Sequence, residues 1–220
     1  MCDHDLWTDM VQDLAAVGRI HHGNVYEDDT LDGMARRVLE TAPARFVLIG
    51  FSMGGFVARV LALLAPERVS GVAFVASSAR GYSDEETARR QAGFRPGDRP
   101  PRVAGAVTTA MGLHPDREDD PVLLDRLRGM QRRLGPEVRK RQAALFRRDG
   151  YADLAGIACP ALVVACRQDR LRSFAETARM AECLPRARLE VIEDCGHMAP
   201  LERPRELANL IAGWIEREKL

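Results

Sequence analysis

The chain has 220 residues and a mass of 24.4 kDa, a size that suits one large α/β domain. Hydrophobic residues make up 46% of it, enough for a sizeable core, and no apolar run approaches the ~18 residues that cross a bilayer, which excludes a membrane-spanning protein. Basic and acidic residues balance at 32 each, which argues against a general binder of nucleic acid.

The N-terminus and the cysteines favour a cytoplasmic protein. The first residues, MCDHD, lack the basic and apolar regions of a signal peptide. The cysteines are odd in number, form no CxxC pair and have no histidine at ligand spacing, so we expect reduced thiols and no metal site. They are Cys2, Cys159, Cys166, Cys183 and Cys195.

Short apolar runs predict the strands. Residues 46–49, 72–75 and 161–164 are continuously apolar, which is typical of strands buried on both faces of a parallel sheet. Residues 189–192 alternate in polarity, which indicates an edge strand. Residues 19–26 are a weaker candidate for a further strand.

Helical patterns lie between and after these runs, at residues 32–40, 54–64, 174–183 and 204–218. Alternating strands and helices predict a doubly wound, mostly parallel α/β sheet. Residues 82–150 contain no credible strand and are too long for a loop, so we expect several helices there. The predicted organisation is therefore a core from residues 1–81 and 151–220, covered by a helical cap from residues 82–150.

The strongest motif is GFSMGG at residues 50–55, which satisfies G-x-S-x-G between a predicted strand and a predicted helix. We expect strained backbone at Ser52, and collisions with backbone for any side chain at Gly50 or Gly54. This context makes Ser52 the candidate nucleophile. A glycine-rich turn that only packs a helix on a strand is the alternative.

A serine hydroxyl needs a base, and the base needs a group that orients it. His197 lies just past the last predicted strand, at the edge of the sheet where such sites form. Asp169 follows the third predicted strand and is the favoured acid, while Asp194 is the alternative. The remaining histidines lie in polar sequence, and we expect them to be solvated. They are His4, His21, His22 and His114.

Together with APERV at residues 65–69 and CGHMAPLERP at residues 195–204, these features resemble the α/β-hydrolase superfamily, specifically its small esterase and lactonase branch. The resemblance implies that Ser52 is the nucleophile, His197 the base and Asp169 the acid. It also implies that the backbone N–H of Met53 is one donor of the oxyanion hole.

Two features depart from this family. Cys166 stands where the family often has glycine, three residues before the acid. Family members also usually begin with further strands, ending in a turn that supplies the second oxyanion donor. Residues 2–7 look like sequence that follows that turn, so we expect a sheet that is short at its N-terminal side and lacks the second donor. The favoured explanation is a true start upstream of Met1. There are two alternatives. The candidate strand at residues 19–26 could occupy the place of the missing strand, or a second chain could complete the sheet.

Residues 126–148 carry nine basic residues against one acidic residue. We expect the solvated face of cap helices. The alternative is a basic rim that attracts a carboxylate-bearing substrate or an acyl group on an acidic carrier. Nucleic-acid binding is disfavoured because no aromatic residues alternate with the charges.

These observations predict a serine hydrolase that cleaves a small carboxylic ester or lactone through an acyl-enzyme, without cofactor or metal. The same triad also supports acyl transfer or C–C bond hydrolysis. A non-catalytic interaction protein of this fold, dimerising through its open sheet edge, is the hypothesis from another functional class. We expect the protein to be a monomer or a homodimer.

Overall fold

The computed structural model describes residues 1–86, 88 and 109–220. Its four described strands form one sheet in the order β1-β2-β3-β4, and all neighbouring pairs are parallel. The predicted parallel α/β sheet is therefore confirmed. The strands are β1 (Phe46–Phe51), β2 (Val69–Val75), β3 (Ala161–Cys166) and β4 (Ala187–Ile192).

All four predicted helices are present, and their ends differ from the prediction by one residue at most. The helices are α1 (Val11–Ala15), α2 (Leu31–Thr41), α3 (Met53–Leu64), α4 (Pro121–Ala144), α5 (Phe174–Cys183), α6 (Ala199–Glu202) and α7 (Pro204–Glu218). Short 3₁₀ segments occur at His4–Met10, Pro115–Arg117 and Ala152–Gly156.

The core consists of two apolar layers, one on each face of the sheet. Val72 and Phe74 of β2 pack in the layer that contains residues of α2, α3 and α5, whereas Ala73 and Val75 pack in the layer that contains residues of α7. Successive side chains of a strand point to opposite faces, so both faces of β2 are buried. This two-sided burial explains why the strand is continuously apolar in sequence.

The two edges of the sheet differ. β4 is an edge strand, as its alternating sequence predicts, and Leu189 is partly exposed on it. β1 is the other edge among the described residues, because residues 19–26 form no strand and that prediction is wrong. The side chain of Asn24 accepts a hydrogen bond from the N–H of Tyr26 at 3.1 Å, a local turn that competes with extended pairing.

Helix α4 lies in the segment predicted as a cap. Gly135 has φ of 76° and interrupts the helix, so its two halves are joined across a kink. The described residues of 82–150 contain no strand, as predicted, while residues 87 and 89–108 lie outside the described part of the chain. The division into core and cap stays a prediction. Leu127 and Met130 of α4 share an apolar cluster with Leu6, Leu113, Met198 and Leu201.

Candidate active site

Ser52 occupies a strained turn between β1 and α3. Its φ of 50° and ψ of −110° lie outside the regions that a residue with a side chain ordinarily adopts. The N–H of Ser52 donates to the C=O of Val75 at 2.9 Å, and the N–H of Gly55 donates to the C=O of Ser52 at 3.1 Å. The turn is therefore held by the end of β2 and by the first turn of α3.

Two glycines allow this turn to pack closely. A Cβ at Gly50 would lie 2.7 Å from the carbonyl oxygen of Gly54, and a Cβ at Gly55 would lie 2.1 Å from Oγ of Ser77. The collision expected at Gly50 is confirmed. The one expected at Gly54 is wrong, because a Cβ there would have no described atom within 4 Å. The second position where a side chain would collide is Gly55, which the sequence did not single out.

A continuous line of hydrogen bonds joins the three predicted triad residues. Oγ of Ser52 lies 2.8 Å from Nε2 of His197, and Nδ1 of His197 lies 2.7 Å from Oδ2 of Asp169. With the proton assigned to Nδ1, the imidazole donates to Asp169 and accepts from the serine hydroxyl. Both His197 and Asp169 are buried, at 4% and 7% exposure. The structure thus places these three side chains in contact.

Backbone donors orient the carboxylate of Asp169. Its Oδ1 accepts hydrogen bonds from the N–H groups of Leu171 at 2.7 Å and Arg172 at 2.8 Å. Asp194, the alternative acid, instead pairs with Arg203 and with Nε2 of His114. Asp169 is therefore the carboxylate that contacts the histidine.

Gln168 and Cys195 hold the acid loop against the base loop. The N–H of Gln168 donates to the C=O of Cys195, and the N–H of Cys195 donates to Oε1 of Gln168, both at 3.0 Å. This reciprocal pair joins the loops that follow β3 and β4. Sequence reasoning missed Gln168, and the available signal was its place between Cys166 and Asp169 at the end of a predicted strand.

Two further buried side chains support the nucleophile turn. The hydroxyl of Ser77 donates to the C=O of Ser52 at 2.8 Å, and the hydroxyl of Thr177 donates to the C=O of Ser77 at 2.7 Å. Both residues are at most 1% exposed. Together these two hydrogen bonds hold the backbone carbonyl group of Ser52 in place. Sequence reasoning missed them because neither belongs to a recognisable motif.

One of the four remaining histidines differs from its prediction. His4, His21 and His22 are exposed as expected, but His114 is 6% exposed. Its Nδ1 accepts the N–H of Asp116 at 3.1 Å, and its Nε2 lies 3.2 Å from Asp194. The histidine is buried because it contacts the loop that carries His197, a contact that polar flanking sequence does not indicate.

Ion pairs account for part of the basic segment at residues 126–148. The pairs to the N-terminal part of the chain are Arg126 with Asp5 and Asp9, Arg133 with Asp3 and Asp5, and Arg141 with Asp29. Desolvation raises the pKa of Asp3, but hydrogen bonds from Arg133 and the N–H of Asp5 outweigh it and the net direction is downward. Arg128, Arg139 and Lys140 form no ion pair with any described residue.

Ser52 and His197 open onto a large cavity of about 1670 Å³, which also runs along the open edge of β1. Its apolar lining includes Trp7, Phe51, Leu127, Leu171 and Met198. Met53 also lines it, and because Met53 is the first residue of α3, its N–H has no acceptor within the helix. The expected lack of a second oxyanion donor stays a prediction.

Among the described residues, no group of three or more His, Cys, Asp or Glu is placed to hold a metal ion, and all five cysteines are free thiols. No helix in the described ranges is long and apolar enough to cross a membrane.

Comparison with known proteins identifies the family. Residues 4–210 match the family model described as the alpha/beta hydrolase family. The chain belongs to the alpha/beta hydrolase family. The resemblance that the sequence suggested is thereby confirmed.

Individual relatives of this alpha/beta hydrolase are esterases by name. A pimeloyl-[acyl-carrier protein] methyl ester esterase of Klebsiella pneumoniae is 51% identical over 49 residues, which is 22% of this chain and 19% of the relative. The esterase of that name from Nitrosomonas europaea is 28% identical over 232 residues, covering 93% of this chain and 88% of the relative. The matched segments span only 19% to 33% of the length of four such relatives.

A solved structure agrees with the fold. The thermophilic esterase from Thermogutta terrifontis superposes with a TM-score of 0.80 at 24% sequence identity. The superposition covers 100% of this chain and 87% of that one. This similarity supports the α/β-hydrolase architecture.

Proposed function

We propose that this chain is a serine hydrolase that cleaves a small carboxylic ester or lactone. The observation that carries the proposal is the unbroken line of hydrogen bonds from Asp169 through His197 to Ser52. Membership of the alpha/beta hydrolase family and the names of the relatives support the same reaction class.

In the proposed mechanism, Oγ of Ser52 attacks the substrate carbonyl while Nε2 of His197 removes the hydroxyl proton. The N–H of Met53 stabilises the resulting oxyanion. The C–O bond to the leaving alcohol then breaks, and His197 returns its proton to that oxygen. Water attacks the acyl-enzyme by the same route, which releases the carboxylic acid and restores Ser52.

Asp169 holds the imidazole in the tautomer that presents Nε2 to the serine, and it stabilises the imidazolium formed during each proton transfer. Its own orientation is maintained by the two backbone N–H groups at Oδ1. An asparagine at this position can donate its amide N–H to Nδ1 of His197. That hydrogen bond favours the tautomer with the proton on Nε2, which cannot accept the proton of Ser52. The expected loss for Asp169→Asn is therefore roughly 10⁴-fold in kcat.

The test is hydrolysis of p-nitrophenyl acetate, p-nitrophenyl butyrate and a γ-lactone by wild type and variants. Ser52→Ala and His197→Ala should lose nearly all activity. Asp194→Asn is the matched control for Asp169→Asn, since Asp194 lies in the same loop as His197 without contacting it, and it should keep activity within about tenfold of wild type. Full activity in Ser52→Ala would sink the proposal, as would equal losses in the two aspartate variants.

An acyl group on an acidic carrier protein is a second candidate substrate. Arg128, Arg139 and Lys140 are exposed, without ion pairs to described residues, and the named relatives act on a carrier-bound ester. A methyl ester presented on acyl carrier protein should then react faster than the free ester, with an advantage that falls as salt screens the charges. An advantage unchanged by salt would count against this candidate.

A further inference from the structure

Among the described residues that line the cavity beside Ser52, arginines outnumber acidic side chains. Asp3 is the one acidic side chain among the described residues that line it, and Asp3 already bonds to Arg133. Five arginines line the same cavity: Arg19, Arg45, Arg139, Arg147 and Arg172. A cavity with this charge attracts anions and repels cations before any specific contact forms.

Arg147 and Arg172 both lie beside Phe56 of α3. Their guanidinium carbons lie 4.5 Å and 5.7 Å from the centre of the same ring, that of Phe56. Phe56 is in the first turn of α3, four residues after Ser52. The backbone N–H of Arg172 donates to Asp169, so the loop that orients the acid also positions this arginine.

The guanidinium of Arg172 has unused donor capacity. Its Nη1 donates to the C=O of Leu171 at 2.7 Å, but its Nε is fully buried and has no hydrogen-bond partner in the described part of the chain. No described carboxylate forms an ion pair with it. Although Nε is sealed from the cavity, Arg172 lines it. Because no described carboxylate neutralises this guanidinium, a ligand carboxylate at the cavity can bind the cation through charge-assisted hydrogen bonds.

We infer that the substrate is a monoester of a dicarboxylic acid, with its ester carbonyl at Ser52 and its free carboxylate bound by Arg172. The inference rests on the proposed function and names the substrate class for that site. Water adds across the ester C–O bond, so the products are an alcohol and the dicarboxylate.

Arg172 is a specificity-determining residue in this proposal, because it binds a group remote from the reacting carbonyl. A neutral ester of the same shape would leave the charge of Arg172 without a counter-ion. The preference should therefore depend on the charge of the remote group more than on the length of the chain that carries it. Such binding energy is expressed mainly in KM.

The first test compares monomethyl adipate with dimethyl adipate, which share the same chain and differ in one charge. Wild type should prefer the monoester by at least tenfold in kcat/KM. Arg172→Gln should lower the ratio of kcat/KM for the monoester to that for the diester by at least about tenfold, mainly through KM of the monoester. Arg172→Lys should recover part of the loss. Arg205→Gln, an exposed site on α7 outside the cavity, is the control and should match wild type.

The second test separates this inference from the proposed function, because it needs no catalysis. Calorimetry should detect adipate binding to Ser52→Ala, and the added Arg172→Gln substitution should abolish it. Absence of binding, or binding unaffected by Arg172→Gln, would overturn the inference. An equal preference of wild type for monoester and diester would also overturn it. Adipate binding that depends on Arg172, in a wild-type protein that hydrolyses no ester, would uphold the anion site and overturn only the proposed function.

Discussion

The contrast between two neighbouring glycines provides a sharp test of the nucleophile turn. Gly54 and Gly55 both lie in the first turn of α3, and neither has a positive φ. A Cβ at Gly55 would meet Oγ of Ser77 at 2.1 Å and Cβ of Ser77 at 2.5 Å, whereas a Cβ at Gly54 would meet nothing within 4 Å. The same substitution should therefore have opposite effects at the two positions.

The expected change in unfolding free energy follows from the displacement of Ser77. Ser77 is fully buried and donates to the C=O of Ser52, so displacing it costs about 1 kcal/mol for the hydrogen bond and about 1–3 kcal/mol for overpacking. The gain from replacing glycine by alanine in a helix offsets roughly 0.5–1 kcal/mol. Gly55→Ala should thus lose about 1–3 kcal/mol of unfolding free energy, while Gly54→Ala should gain up to about 1 kcal/mol.

Urea unfolding followed by circular dichroism measures both changes, provided the slope of the transition stays constant. Gly55→Ala should also lower kcat by about 100-fold, because Ser52 shifts with its carbonyl. The double variant Gly55→Ala/Ser77→Gly should recover part of the stability, since it removes the atoms in collision. Equal stability of the two single variants, or no recovery in the double variant, would refute this reasoning.

Three further predictions concern the surrounding contacts. Thr177→Val should cost about 1–2 kcal/mol in urea unfolding, since it leaves the C=O of Ser77 without its donor, while Thr177→Ser should cost less than half as much. Gln168→Met should lower kcat about tenfold with little change in KM, because it frees the loop of His197; a change confined to KM would contradict this. A hydrogen bond from Arg80 lowers the pKa of Glu86 from 4.5 to about 2. The ionised carboxylate therefore stabilises the folded state fully above about pH 4.5, and this contribution is lost as the pH falls towards 2. Glu86→Gln should therefore destabilise the protein by less than about 1 kcal/mol at pH 7, after allowance for solvent screening, and by only a small fraction of that at pH 2.

The sheet and its helices could be predicted because their sequence patterns are local. The continuous apolar run of β2 reflects burial on both faces, and Pro204 marks the start of α7 at the residue where the structure begins it. The weak strand at residues 19–26 failed because the side chain of Asn24 satisfies a nearby backbone N–H within a turn. The prediction that His114 is solvated also failed, because its flanking residues are polar while its burial depends on a contact with the distant Asp194.

The candidate site was predictable where chemistry requires a residue type at a fixed place in the fold. The strained turn at Ser52 and the loops after β3 and β4 indicated three side chains that the structure brings into contact. The supporting residues Ser77 and Thr177 were not predictable, because they act through contacts between segments distant in sequence. Gln168 offered only its place at the end of a predicted strand, which does not show that its side chain contacts Cys195.

The central claim is that Ser52 is an activated nucleophile, and covalent labelling tests it most directly. Intact mass measured after incubation with a fluorophosphonate should show one added phosphonyl group in wild type and none in Ser52→Ala. Asp169→Asn should react far more slowly, and Asp194→Asn at close to the wild-type rate. A folded wild-type protein that is not labelled, or labelling that persists in Ser52→Ala, would contradict the claim.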